Sequence, residues 1–140
     1  MAVKKKFDLK ALVSAPQSGF RTKTVPVKEW DGAKVVLREP SPEGWGRWRE
    51  IMTPPEPKEG EQPVKLSISE ETQRNIRADS VMFIDVLLDE DLQPVFDLSE
   101  LDTVVAFYGP VHARLLKQAM DLTTSPEEAE KKSESLTPNS

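Results

Sequence analysis

From Phe20 the apolar and β-branched positions alternate with polar ones, through Thr22, Thr24, Val25, Val27 and Trp30 and then Val35, Val36 and Leu37. That period of two suits strands with one buried face. Trp30-Asp31-Gly32-Ala33 separates the runs, and Asp-Gly supplies the positive φ angles of a two-residue type I′ turn, so a β-hairpin is predicted. Ahead of it, Phe7, Leu9, Leu12 and Val13 form a weak apolar face before Pro16 and Gly19, which predicts at most a short helix.

After Leu37 the period lengthens. Ser41 can cap a helix, Pro42 suits its first position and Glu43 favours the positive end of its dipole. Trp45, Trp48, Ile51 and Met52 then follow at three- and four-residue steps and line one face. Gly44 and Gly46 weaken this helix, each by about 1 kcal/mol relative to Ala. The longest helix is expected to open at Ser69-Glu70-Glu71-Thr72 and to carry Ile76, Val81, Phe83, Ile84, Leu87 and Leu88 as an apolar stripe, ending at Asp89-Glu90-Asp91. Leu92 to Leu98 reads as a loop or a short extended piece that folds the chain back. Ser99, with Asp102 three residues on, reads as the cap of a helix through Leu101, Val104, Val105 and Phe107. Gly109 is placed to end it in the left-handed conformation and Pro110 to begin a last helix, with Val111, Leu115, Leu116, Ala119 and Leu122 on one side.

These patterns predict an α+β fold with an N-terminal β-hairpin and short helix, then a predominantly helical C-terminal part of about three helices. Residues 1–122 read as one domain. Within it, 53–64 (TPPEPKEGEQPV) is a mobile proline-rich linker with too little apolar surface to offset its ordering entropy, and 123–140 reads as a disordered tail.

Composition narrows the function. The chain of 140 residues carries a net charge of −5, which argues against nucleic-acid binding, since that draws its affinity from Lys and Arg on phosphates. The Lys4-Lys5-Lys6 run reads as a solvated terminus. With no cysteine there is no disulfide framework, thiolate nucleophile or Cys-built metal site. No stretch is apolar enough for a secretory signal or a membrane span, so the expected compartment is the cytoplasm.

Catalysis finds little support. His112 is the single histidine, has no His-x-x-His, Cys or glycine-rich loop as company, and reads as structural or solvent-exposed. Asp85 falls between Ile84 and Val86, where an unpaired carboxylate is costly to bury, so a tertiary partner or an exposed position is expected rather than an active site. Asp89-Glu90-Asp91 lacks the glycine and the later glutamate of a calcium loop. No cofactor or metal is expected. Trp45 and Trp48 are either core residues bracing the hairpin or anchors for a partner, as Trp is enriched in interface hot spots. Tyr108, in Tyr108-Gly109-Pro110, admits the same two readings.

The ordered segments resemble a known family. Val27-Lys28-Glu29-Trp30-Asp31-Gly32-Ala33-Lys34-Val35-Val36-Leu37-Arg38-Glu39 followed by Ser41-Pro42-Glu43, the Ala78-Asp79 to Leu88 helix, and Tyr108-Gly109-Pro110-Val111-His112 are together similar to the tail assembly chaperones of long-tailed bacteriophages. The resemblance runs from Phe7 to Leu122. It implies a non-catalytic protein of the infected bacterium's cytoplasm that escorts the phage tape measure protein, delivers tail tube subunits to it and is absent from the mature virion. Homo-oligomers are a further implication. In many members a ribosomal frameshift appends a second domain, which makes Lys131-Lys132 the candidate frameshift region. The rival reading is a structural tail-completion or head-tail joining protein retained in the particle.

Overall fold

In the computed structural model, which describes residues 6–123, the first helix is short and bare. Asp8 caps α1 (Leu9–Ser14) by accepting from the Ala11 N–H at 3.2 Å, and no residue of α1 is buried. Turns at 15–20 lead into β1 (Thr22–Val27), which pairs antiparallel with β2 (Ala33–Arg38). Val25 and Val27 face Val35 and Ala33 across the pair. The connection differs from the expected two-residue turn. Lys28–Trp30 form a single 3-10 turn, Asp31 and Gly32 take φ of 55° and 75°, and the Gly32 N–H closes back on the Val27 carbonyl at 2.9 Å. Asp-Gly still supplies the positive φ angles, but at the end of a longer loop that lifts Trp30 out of the strand pattern.

β1 is the edge strand of a three-stranded sheet in the order β1-β2-β3. The Glu39 N–H donates to the Arg21 carbonyl, so by antiparallel alternation Pro26 sits in a non-hydrogen-bonded pair with Lys34 and its missing N–H is on the open side.

Ser41 caps α2 (Pro42–Met52) as expected, its Oγ accepting from the Gly44 N–H at 3.0 Å. Residues 53–66 then carry no helix or strand and only a turn at Gly60. α3 (Ile68–Val86) starts earlier than Ser69: Ser67 and Glu70 form a reciprocal capping box, each side chain accepting from the other's backbone N–H at 3.1 Å. It also stops earlier. Leu87 and Leu88 form β3, antiparallel to Val36–Leu37 of β2, and are buried there. Their apolar period continues the helical stripe, yet sheet pairing gives their backbone groups partners that a further helical turn would place against the sheet's edge.

The chain then doubles back as expected, the Asp89 N–H donating to the Gln93 carbonyl at 2.9 Å and Leu88 bridging Pro94. Asp97 rather than Ser99 is the cap, with Glu100 as its reciprocal partner, of a 3-10 turn at Leu98–Glu100 leading into α4 (Leu101–Phe107). Gly109 is extended at φ −148° instead of left-handed and serves as the entry to α5 (Pro110–Asp121). Pro110 takes the first position of that helix.

The core lies where α3, α4 and α5 meet the β2 face, built from Val27, Leu37, Met82, Phe83, Val86, Leu87, Val104, Leu115 and Ala119. α2 packs along α3, so Trp45 and Trp48 brace that helix rather than the hairpin.

One polar cluster ties the layers together. The Asp85 carboxylate on α3 accepts from the Ser41 N–H at 2.7 Å and the Ser41 hydroxyl at 2.6 Å, and pairs with the Arg38 guanidinium at 2.8 Å. Both charged side chains are 9% exposed. A Cβ on Gly44 would stand 2.5 Å from Asp85 Oδ2, so the glycine that weakens α2 is the one that lets the carboxylate reach its cap.

Candidate functional site

Four segments of the chain enclose an apolar groove of about 360 Å³. The hairpin contributes Trp30 and Val35, the end of α3 and β3 contribute Phe83 and Leu87, the doubled-back segment contributes Val95 and Phe96, and the α4–α5 elbow contributes Phe107 and His112. Val95 and Phe107 remain 44% and 42% exposed at its mouth. Large apolar side chains left open together in this way mark a binding surface.

His112 organises the aromatic wall. Its ring lies 5.1 Å from that of Phe107 in a stacked arrangement, 5.2 Å from Phe83, 5.4 Å from Trp30 and 5.6 Å from Tyr108. Nδ1 accepts from the Gly109 N–H at 3.0 Å, closing the first turn of α5. Burial pushes the imidazole pKa down. The neutral ring is therefore the one that fits, consistent with a structural part.

A folded-state pKa below the unfolded value means that the unfolded chain takes up the proton first. Stability held by the neutral ring is present above pH ~6.5 and is lost as pH falls below it. Melting midpoints recorded from pH 7.5 to 5.5 should fall for the native chain and stay flatter for His112→Asn, which keeps an acceptor near the Nδ1 position. Equal slopes would remove His112 as the cause. Glu29, held at about 2 by the Arg114 guanidinium, titrates at lower pH, and Asp79, raised by burial, is common to both chains.

The residues singled out from the sequence divide. Trp45 and Trp48 meet edge to face at 5.8 Å, half buried on α3 and away from the groove lining. The Trp48 indole donates to Asp79, and burial raises the pKa of that carboxylate. Tyr108 sits edge-on to Phe83 at 5.9 Å, behind the groove wall, with its hydroxyl buried and unbonded; burial and the nearby Asp79 charge raise its pKa. Lys131 and Lys132, the residues 124–140 read as a tail, and Lys4 and Lys5 lie outside the described residues.

The groove itself escaped sequence reading. The available signal was the placement of Trp30, Phe96 and Phe107 at the ends of elements, where apolar residues have no neighbours on their own helix or strand to pack against. Among the described residues no group of His, Asp and Glu is arranged to hold a metal ion, and no helix is long and apolar enough to cross a membrane. The segment that supplies Val95 and Phe96, Asp89 to Glu100, carries Asp89, Glu90, Asp91, Asp97 and Glu100 and no lysine or arginine.

This chain has relatives of known kind. A solved structure, that of the bacteriophage HK97 tail assembly chaperone, is similar at 54% identity with a TM-score of 0.70, the match covering 82% of this chain and 96% of that one. No curated protein sequence matches. The model of the phage tail assembly chaperone family matches residues 8–132, which is most of the chain: it belongs to the phage tail assembly chaperone family.

Proposed function

We propose that this chaperone binds the tape measure protein of its phage through the apolar groove and helps recruit tail tube subunits to it, without catalysing a reaction. The observation that carries the reading is the groove: open and lined by aromatic and branched side chains. Such a surface takes the apolar face of an amphipathic helix, the helix-in-groove mode of recognition. A long helical client offers many such faces, so weak contacts repeated along it bind by avidity. Family membership supports the chaperone role, and the cytoplasm of the infected bacterium is where client and chaperone would meet.

Phe107→Glu tests it. A central aromatic anchor is typically worth 2 kcal/mol or more, so co-purification of the tape measure protein should fall by roughly 30-fold, with the far-ultraviolet circular dichroism unchanged because Phe107 is half exposed. Undiminished capture by a folded variant would place the client elsewhere. Mass spectrometry of purified virions checks the rest, since a chaperone leaves the particle, and a full complement of this chain there would favour a joining or completion protein.

A further inference from the structure

The hairpin loop grips α5 at two points. Lys28–Trp30 make a single 3-10 turn, and two consecutive residues of it reach the last helix. The Glu29 carboxylate takes both arms of the Arg114 guanidinium, with Oε2 at 2.5 Å from Nη1 and Oε1 at 2.8 Å from Nη2. The Trp30 ring lies 5.4 Å from that of His112. Among the described residues, the Glu29–Arg114 fork is the one polar tie from residues 28–32 to anything outside the hairpin. The Gly32 N–H on the Val27 carbonyl closes the loop upon itself, and leaves its position against the helices to be set by side chains. Trp30 lines the groove, so part of the groove wall stands on this loop. Neither Glu29 nor Arg114 is in the lining.

We propose that Glu29 and Arg114 are positioning residues of the groove: their fork holds the 28–32 loop on α5 and so keeps Trp30 in place before a client arrives. This rests on the groove being the client's seat. A wall already in place spares the client the cost of ordering it, so the fork contributes affinity without touching the client. Arginine suits the task, because its rigid planar fork matches both carboxylate oxygens at once. The Arg114 guanidinium holds the Glu29 carboxyl at about 2, so the pair stays charged throughout the neutral range and does not respond to pH there. It responds to salt instead. The two side chains are 47% and 41% exposed, and exposed charges are screened as the Debye length falls to about 3 Å at 1 M salt.

Hydrogen exchange of the loop amides reads the fork without any client. Glu29→Gln and Arg114→Gln should each raise exchange at Trp30, Asp31 and Gly32 roughly threefold, the size expected of a well-aligned surface pair, with the amides of α3 unchanged. The charge-reversed double variant Glu29→Arg/Arg114→Glu should return to the native rate, which lost packing by either side chain would not produce. In 1 M sodium chloride the native loop should exchange as fast as the Glu29→Gln loop. Single variants at the native rate, no recovery in the charge-reversed variant, or a native loop indifferent to salt would each overturn the latch. Co-purification of the tape measure protein should fall roughly threefold in Glu29→Gln and recover in the charge-reversed variant. Native-level capture by Glu29→Gln, with capture lost in Phe107→Glu, would overturn the positioning role and leave the groove as the client's seat. Native-level capture by Phe107→Glu would instead remove the groove as the seat and the positioning role with it, while loop exchange would still measure the fork.

Discussion

Asp85→Ala should lower the unfolding free energy by about 3–5 kcal/mol, the usual penalty for removing one partner of a buried ion pair. The loss exceeds that of an ordinary surface pair because one carboxylate serves three donors. Without it the Arg38 guanidinium keeps its charge in a site 9% exposed, and both the N–H and the hydroxyl of Ser41 lose their partner. Urea denaturation at neutral pH measures the difference. Gly44→Ala should damage the same joint from the other side, because its Cβ would overlap Asp85 Oδ2, which the Ser41 N–H holds while the Ser41 hydroxyl and Arg38 hold Oδ1. The two changes share one network, so their combined effect should fall clearly short of the sum. Additive losses would show that Gly44 is needed for a reason other than Asp85.

Phe83→Ala should cost about 3–5 kcal/mol, as removal of a fully buried phenylalanine does. Phe83 is 1% exposed and stands edge-on to both Tyr108 and His112, so its loss leaves a cavity whose walls cannot easily close. The same ring floors the groove, so capture of the tape measure protein should weaken even below the melting temperature. A loss under about 1 kcal/mol would mean that the site collapses freely, contrary to the packing of α3 against the α4–α5 elbow.

Signals that depend on neighbours in the chain were readable. Ser41-Pro42 at the start of α2, Pro110 at the start of α5 and the alternation through β1 and β2 are local chemistry, and each stands where it was expected. For Asp85 the sequence left two choices, a tertiary partner or an exposed position, and the structure supplies Arg38 and Ser41 as partners. Elsewhere long-range pairing overrode the local pattern. Leu87 and Leu88 continue the stripe of α3 but pair with β2, and Gly109 is extended because its N–H is spent on His112. Trp45 and Trp48 stood out because tryptophan is conspicuous. The groove did not, because it exists only where the hairpin, β3, the doubled-back segment and the α4–α5 elbow converge.

The open side of β1 bears on how crowded copies of this chain behave. Wherever copies are concentrated, an exposed strand edge is a template for irreversible stacking. Pro26 turns no N–H outward near the Val27 end of that edge, and Lys23 and Lys28 bring like charges close to its two ends. Copies that meet at this edge can therefore separate again instead of stacking strand on strand.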